Sequence, residues 1–448
     1  MLGDFARSVD LRADYWGPVS LALAAVVALI LLWKVGRNIT LRSHALLVVS
    51  AVAITGLSAF IGNNVVHLVA EGITLPTWLW VGYVSLILLY VIVLVGTNWS
   101  SRSVPARGVR LLAGLVALGF ALTATGLGLN AYYRGYPSLA AALGVTVPTS
   151  SLDEAQAGAQ SHPFDAGNQS LAVAWKAPSD MPTEGALVKT SIPSQDSTFT
   201  PRDAYIYLPP AYMTSQRPLL PVLVLMAGQP GSPGDWFNMG GVHDILNTFA
   251  SEHQGLAPVV VVVDQNGGDW SNPLCSDTSH GKVASYLQQT VPTWLKNNLQ
   301  VDTNHAHWSI GGLSNGGTCA LQTALRAPQI YSAFIDMSGE GHPSIGNLER
   351  TIAQGFDGNQ AAFDANDPLT MLQKGRFTQP GPAGIFSIGT KDNANYRKDL
   401  HTVYDAAKAA GLDVQWNTYE GKHEWKVWEA TLADSLPWLS KRAGISSS

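Results

Sequence analysis

Three residues in the second half of the chain have the side-chain types and the order that nucleophilic catalysis needs. Ser314 lies in a Gly-x-Ser-x-Gly pentapeptide, and Asp392 and His423 follow it in that order. A serine hydroxyl is a poor nucleophile at neutral pH, so it needs a histidine to take its proton and a carboxylate to orient that histidine. The trio therefore predicts acyl transfer through a covalent intermediate on the serine.

Each member of the trio is a weak signal when it is taken alone. With 43 glycines in 448 residues, about 0.3 such pentapeptides are expected by chance. His423 could be an ordinary surface-loop histidine. Asp392 could merely cap the helix predicted after it, in which case Asp399 would be the acid. The ordered set is more specific than any one of its members.

Acyl transfer also needs hydrogen-bond donors for the oxyanion of the tetrahedral intermediate. One predicted donor is the backbone N–H of Asn315, the residue after the nucleophile. The second is the backbone N–H of Gln229, in the loop 227–231 that follows an apolar strand. Pro230, which comes next, has no N–H to donate. A plain turn is the alternative interpretation of this loop.

Strands alternate with helices from about residue 185 onward, which is the pattern of a mostly parallel sheet covered on both faces. The predicted strands are 186–192, 204–208, 221–226, 258–263, 308–310, 333–337, 384–388 and 414–419. The predicted helices are 236–251, 283–299, 318–326, 395–410 and 426–439. The order of elements predicts an α/β-hydrolase, with Ser314, Asp392 and His423 each just past a strand end.

The first third of the chain has a different composition. The whole chain is 46% hydrophobic and only 13% charged, and the apolar excess is concentrated before residue 130. Four segments, 16–33, 44–62, 77–95 and 109–129, are long enough to span a bilayer as helices. A cleaved signal peptide is the alternative for the first segment, but residues 1–14 carry three Asp against two Arg and lack a basic start. We expect a four-helix transmembrane bundle.

Basic residues in the short loops predict the orientation of this bundle. The first loop holds Lys34, Arg37 and Arg42 and the third holds Arg102, Arg107 and Arg110, whereas the second, 63–76, holds none. The positive-inside rule places loops one and three in the cytoplasm. We therefore expect a multi-pass cell-membrane protein whose C-terminal part is extracytoplasmic.

These observations divide the chain into a membrane unit (1–134), a linker or entry segment (135–184) and a hydrolase domain (185–448). The linker is inferred because 137–180 is rich in Ala, Gly, Gln, Ser and Pro without sustained periodicity. A net charge of −5 and the lack of a basic patch argue against a nucleic-acid partner. The oligomeric state is left open.

The chain has two cysteines, Cys275 and Cys319, and both lie close in sequence to the predicted site. Outside the cytoplasm such a pair is expected to form a disulfide, worth about 4 kcal/mol for a loop of about 45 residues. Cys319 as a rival nucleophile is disfavoured because it lies inside the helix after Ser314. His305 and His307 form an HxH pair, but two histidines are too few ligands for a metal site, so we expect no metal.

From about residue 186 to 439 the chain resembles the esterase family that includes esterase D and the antigen 85 mycolyltransferases. The resemblance rests on the run 205–212 (YIYLPPAY), the elbow 312–317 (GLSNGG) and His423-Glu424-Trp425-x-x-Trp428. It implies a serine esterase or acyltransferase without metal or organic cofactor. The chain departs from the mycolyltransferases at 227–230, where they carry Asp-Gly-x-Arg, and in having four predicted spans.

The predicted function is a membrane-anchored, extracytoplasmic serine esterase. Its substrates would be carboxylic esters of lipids or cell-envelope acyl groups, such as an acylated or aminoacylated phospholipid. One alternative is an acyltransferase of mycolyltransferase type that moves an acyl chain to a sugar. The other is an inactive hydrolase-like binding or sensor module, in which Ser314, Asp392 and His423 need not converge.

Overall fold

In the computed structural model of this chain, the described residues are 5–6, 8–36, 39–66, 72–97, 103–145, 147–156, 163–167 and 169–446. The contacts divide the chain into two compact units, Met1–Val145 and Thr146–Ser448. The first unit contains the long apolar helices, and the second contains an eight-stranded sheet.

Four long helices make up the first unit. They are α1 (Trp16–Gly36), α2 (Leu41–Phe60, continued by the π-helix Ile61–Val66), α3 (Leu75–Gly96) and α4 (Val104–Tyr133). Their apolar stretches have 20 to 30 residues, long and apolar enough to cross a membrane. Each predicted span lies inside one of them. Of the basic residues used to predict the orientation, Arg37 and Arg102 lie outside the described residues.

The interior of this unit combines small residues with large apolar ones such as Ile87 and Tyr90, and large apolar side chains also cover its outside. Ala121 and Ala124 of α4 are 0% exposed. A Cβ added at Gly128 would overlap the ring of Trp80 on α3, so glycine allows this close approach of two helices. By contrast Leu21 and Leu79 are about two-thirds exposed, 64% and 65%. An apolar outer surface suits a hydrocarbon environment.

The second unit is built on one large sheet. Its strands are β1 (Ala186–Thr190), β2 (Ala204–Leu208), β3 (Val222–Met226), β4 (Val259–Val263), β7 (Trp308–Leu313), β8 (Ala333–Met337), β9 (Ala383–Gly389) and β10 (Val414–Tyr419), and a separate short hairpin is formed by β5 (Asp277–Thr278) and β6 (Gly281–Lys282). The strand order is β1-β2-β4-β3-β7-β8-β9-β10. The pairs β1–β2 and β2–β4 are antiparallel, and all other neighbours are parallel.

Short helices precede this sheet in the chain. They are α5 (Leu139–Ala142), α6 (Leu152–Gln156) and α7 (Leu171–Ala174). Trp175, just after α7, is 1% exposed and belongs to the core of the second unit, and Ser150 forms an isolated bridge with Val188 of β1. Ser150 and Trp175 of the segment 135–184 thus belong to the packing of the second unit. The domain boundaries inferred from composition stay a prediction.

Helices flank the sheet on both faces. They are α8 (Asp235–Asn238), α9 (Val242–Glu252), α10 (Val283–Ser285), α11 (Val291–Asn298), α12 (Asn315–Arg326), α13 (Leu348–Arg350), α14 (Gln360–Asp364), α15 (Pro368–Gln373), α16 (Ala394–Ala409) and α17 (Trp425–Arg442), with 3-10 turns at Pro210–Met213 and His305–His307 and π-helical turns at Tyr286–Thr290 and Thr351–Gly355. Each predicted strand is present within a few residues of its predicted bounds, and so are three of the predicted helices. The predicted helix 236–251 is divided into α8 and α9, and 283–299 is divided into α10, a π-helical turn and α11. The helices between β8 and β9 were not predicted.

Alternating side chains of the central strands enter two separate cores. On β3, Val222, Val224 and Met226 belong to one core, whereas Leu223 and Leu225 belong to the other, on the opposite face. Strands buried on both faces read as continuous apolar runs, and β4 is five consecutive valines. The α/β-hydrolase fold is therefore confirmed, and the polar residues that follow the strands are confined to the sheet edges.

Candidate active site

Ser314 forms a nucleophile elbow between β7 and α12. Its backbone has φ 52° and ψ −125°, a conformation that residues other than glycine rarely adopt. A Cβ added at Gly312 would overlap the carbonyl of Gly316, so the turn closes this tightly only because both positions lack side chains. The Ser314 N–H donates to the Met337 carbonyl at 2.8 Å. The serine is thus held at the carboxyl edge of the parallel strands.

His423 and Asp392 are in direct contact. The Nδ1 of His423 lies 3.0 Å from Oδ2 of Asp392, and only 2% of the Asp392 side chain is exposed. The other carboxylate oxygen accepts a hydrogen bond from the Asn393 N–H at 2.7 Å. With Nδ1–H donating to the carboxylate, Nε2 is the ring nitrogen that can accept a proton. This is the arrangement of a general base and the residue that orients it.

Adjacent turns position this pair. Thr390, just past β9, donates its N–H to the Tyr419 carbonyl at 2.8 Å, and Lys391 donates to the Gly421 carbonyl at 2.8 Å. The loops after β9 and β10 are therefore held together, which brings Asp392 next to His423. The His423 ring also packs edge-on against Trp428, with centroids 5.1 Å apart, so its orientation is fixed from a second side.

Asp399, the alternative acid, lies elsewhere. It is on α16 and close to Gly341: a Cβ added at Gly341 would lie 3.0 Å from the Cβ of Asp399. The hydrogen bond to Asp367 contributes most to raising the pKa of His342, and the negative charge of Asp399 helps to raise it. The described hydrogen bond between His423 and a carboxylate is the one to Asp392. The geometry favours Asp392 as the partner of His423.

The loop after β3 runs beside the serine. A Cβ added at Gly228 would lie 3.3 Å from Cβ of Ser314, so the backbone before Gln229 passes close to the nucleophile. Two side chains after β4 hold this loop: Gln265 donates to the Ala227 carbonyl at 2.6 Å, and Asn266 donates to the Gly228 carbonyl at 3.0 Å. A turn that is fixed against the nucleophile can present N–H groups to an oxyanion.

Asn315 directly follows the serine. It is the first residue of α12, where helical N–H groups have no acceptor within the helix, and it is 6% exposed. Its side chain donates to Oδ1 of Asn272 at 3.3 Å. Both predicted oxyanion donors therefore belong to segments next to Ser314.

An arginine that the sequence analysis did not single out supports this region. Arg202 bonds Oδ2 of Asp264 through Nε at 2.8 Å and donates to the Gly231 carbonyl at 2.8 Å, and it also pairs with Asp269. Burial works against ionisation of Asp264, but the hydrogen bonds and charge of Arg202 outweigh it and hold the pKa of Asp264 below its ordinary value. Arg202 thus ties the loop after β3 to the loop after β4.

Two further groups near the elbow were also missed. Asp336 on β8 is fully buried, accepts the Gly339 N–H at 2.9 Å, and has its pKa raised by burial to about 7. His342 lies 2.7 Å from the buried Asp367, whose hydrogen bond holds the pKa of His342 above its ordinary value. The sequence marks Asp367 as a helix cap before Pro368, but no spacing connects it with His342.

The remaining predicted features are located as follows. Cys275 and Cys319 form a disulfide that joins the loop after β4 to α12. His307 lies 2.5 Å from Asp302, and His305 lies 3.2 Å from the Ile330 carbonyl. Both histidines come before β7, at the sheet edge opposite Ser314. In the described part of the chain, no group of three or more His, Cys, Asp and Glu residues is arranged to hold a metal ion.

The sheet order, the elbow on its central strand and the His–Asp pair at the same edge are those of an α/β-hydrolase. The chain belongs to the Putative esterase family, whose sequence model matches residues 196–439. This membership is the one that the sequence resemblance predicted.

One curated relative and two solved structures are similar to this chain. An uncharacterised protein of Corynebacterium glutamicum is 38% identical over 269 residues, which are 58% of this chain and 63% of the relative. The chain thus spans less than two thirds of the length of that relative. The structure of a ferulic acid esterase is 17% identical to this chain and has a TM-score of 0.51, and the match covers 58% of this chain and 99% of the esterase chain. This similarity supports the fold. An S-formylglutathione hydrolase of Agrobacterium tumefaciens has a TM-score of 0.48 at 19% identity, covering 59% and 98%.

Proposed function

We propose that this chain is a membrane-anchored serine esterase that hydrolyses carboxylic esters of lipids or cell-envelope acyl groups. The observation that carries the proposal is the His423–Asp392 hydrogen bond at the sheet edge where the Ser314 elbow stands. Membership of an esterase family makes the ester carbonyl the reacting group.

The reaction would proceed in two halves. Nε2 of His423 takes the Ser314 proton as Oγ attacks the ester carbonyl, and the buried Asp392 stabilises the resulting imidazolium. The backbone N–H groups of Asn315 and Gln229 receive the negative charge that develops on the carbonyl oxygen. His423 then protonates the leaving alcohol, which leaves the acyl group on Ser314. In the second half a water molecule loses a proton to His423 and attacks the acyl-enzyme carbonyl. The bond to Ser314 Oγ then breaks, His423 returns the proton to Oγ, and the acid is released.

The location outside the cytoplasm is part of the proposal. Basic residues concentrate in the first and third loops, and disulfides persist in oxidising compartments. A lipid-borne substrate suits an enzyme tethered to the bilayer, because tethering raises the effective concentration of the two partners. An acylated or aminoacylated phospholipid belongs to this class.

The proposal is tested by replacing Ser314 in the full chain. We expect Ser314→Ala to lower p-nitrophenyl acetate hydrolysis by at least about 10⁴-fold and to abolish labelling by a fluorophosphonate, because both reactions need the same Oγ. Ser279→Ala, a surface serine bonded to Asp357, is the matched control and should keep full activity. Unchanged hydrolysis in Ser314→Ala would rule the nucleophile out.

The predicted orientation has its own test. A membrane-impermeant fluorophosphonate should label the wild-type chain on intact cells as strongly as after permeabilisation. Labelling that appears only after permeabilisation would place the catalytic unit in the cytoplasm and leave the esterase assignment standing.

A further inference from the structure

Trp270 is an exposed aromatic residue on the loop between β4 and β5. Among the described residues from 186 to 446, the exposed large apolar side chains are Trp270, at 61%, and Leu348, at 51%. A single exposed apolar residue is common on protein surfaces and needs no explanation by itself. What sets Trp270 apart is the position of its backbone.

The loop around Trp270 is bonded to both segments that flank the nucleophile, through its backbone on one side and through the Asn272 side chain on the other. The Gln229 side chain donates to the Trp270 carbonyl at 3.3 Å, and the Gly231 N–H donates to the Asp269 carbonyl at 3.3 Å. Two residues later, Oδ1 of Asn272 accepts the Asn315 side-chain N–H at 3.3 Å. The loop therefore follows the rim of the site on the side of the two proposed oxyanion donors.

This loop is also anchored away from the site. Asp269 pairs with Arg202, and Asn272 donates to the Ser344 carbonyl at 2.8 Å. Cys275 is joined to Cys319 of α12. A loop restrained at so many points holds its exposed side chain in place before a ligand arrives, which lowers the entropy cost of binding.

The geometry of the tetrahedral intermediate indicates which part of the substrate lies next to the Trp270 loop. Its carbon carries the serine oxygen, the oxyanion, the leaving oxygen and the acyl group. The leaving oxygen must face His423, which protonates it, and the described contacts of the Trp270 loop go to the oxyanion side instead. We propose that Trp270 contacts the apolar acyl group of the ester and determines the preferred acyl chain. This rests on the proposed esterase function and specifies its substrate class.

The experiment compares p-nitrophenyl acetate, butyrate and octanoate in the full chain. We expect Trp270→Ala to lower kcat/KM for the octanoate about tenfold, mainly through KM, and to change the acetate less than about twofold. Trp270→Phe should stay within about threefold of wild type on every ester, because it keeps an apolar ring. Val173→Ala is the control: it removes another exposed apolar side chain, 57% exposed, outside the β4–β5 loop.

A second series varies the alcohol at constant acyl group, with phenyl and 1-naphthyl acetate. We expect Trp270→Ala to affect the two acetates equally. An effect that grows with the alcohol instead of the acyl chain would overturn the acyl assignment, and so would an equal loss on every ester. Either result leaves the esterase function intact if Ser314→Ala is inactive. If the wild type hydrolyses no ester and takes no fluorophosphonate label, the proposed function fails, and this assignment fails with it.

Discussion

The two units of this chain differ in how many of their large apolar side chains are buried. In the first unit, glycine and alanine let neighbouring helices approach, as Gly128 does beside Trp80, one small core buries residues such as Ile87, and many large apolar side chains are exposed. In the catalytic unit, large apolar side chains fill two cores, and buried polar residues such as Asp264, Asp336 and Asp392 gather just past or near strand ends. A bundle in lipid is stabilised by close packing between helices, whereas an active site needs polar atoms that long-range contacts hold in place. Substitutions should therefore affect the two units differently.

The largest expected effect is at Asp392, the proposed catalytic acid. We expect Asp392→Asn to lower kcat/KM for p-nitrophenyl acetate by about 10³–10⁴-fold, because an amide neither fixes the productive His423 tautomer nor stabilises the imidazolium. Asp399→Asn is the matched control on the following helix and should stay within about threefold. A larger loss in Asp399→Asn than in Asp392→Asn would reverse the assignment.

The disulfide tests whether the catalytic unit depends on long-range links. Replacing Cys275 and Cys319 together by alanine should destabilise this unit by about 4 kcal/mol, because the bond closes a long loop in the unfolded chain. Unfolding of the full chain in detergent, followed by tryptophan fluorescence against denaturant, measures the loss. Wild type treated with a reductant should show the same shift, and a double variant as stable as oxidised wild type would contradict the prediction.

The buried carboxyl of Asp336 gives a pH dependence. Burial raises its pKa from 3.8 to about 7, so the folded state binds more protons than the unfolded state between these values. The contribution of this group to stability is therefore full below about pH 4 and is lost as the pH rises to about 7. From pH 5 to pH 8 wild type should lose about 3 kcal/mol that Asp336→Asn does not lose. Parallel pH profiles of the free energy of unfolding for the two proteins would contradict this.

The smallest effect is expected in the membrane unit. Gly128→Ala should lower the thermal stability of the helix bundle by about 1–3 kcal/mol, because the new Cβ overlaps the Trp80 ring. Gly126→Ala, in the same helix with open space around it, is the control and should be neutral or slightly stabilising. We expect kcat to stay unchanged in both. A large fall in kcat in Gly128→Ala would show that the units are not independent in this respect.

Much of the fold could be predicted because it follows from local patterns. Apolar segments of about 20 residues indicate the spanning helices, and short apolar runs between turn residues indicate the eight strands. The α-helices between β8 and β9 were missed because they are only three to six residues long, although each begins at a side-chain cap: Asn347, Asn359 or Asp367. Short helices of this kind are stabilised by tertiary contacts rather than by a periodic pattern.

The candidate site divides in the same way. The elbow, the order of Ser314, Asp392 and His423, and the cysteine pair could all be inferred from residue types and spacing. The choice between Asp392 and Asp399 as the partner of His423 could not be made from the sequence, because both are acidic residues near the start of one helix. The hydrogen bond from His423 to Asp392 supports the first choice and favours an enzyme over a silent binding module.

The amino-acid sequence alone determined the α/β-hydrolase fold, the four apolar helices and the residue types on which the proposed chemistry depends, since these follow from patterns within short stretches of chain. Only the tertiary structure brought Arg202 to Asp264 and Gly231, paired His342 with Asp367, and set Trp270 on the rim beside Gln229 and Asn315. These contacts join residues far apart in the chain, and no local pattern encodes them. They arise because parallel strands deliver loops from distant segments to one edge of the sheet.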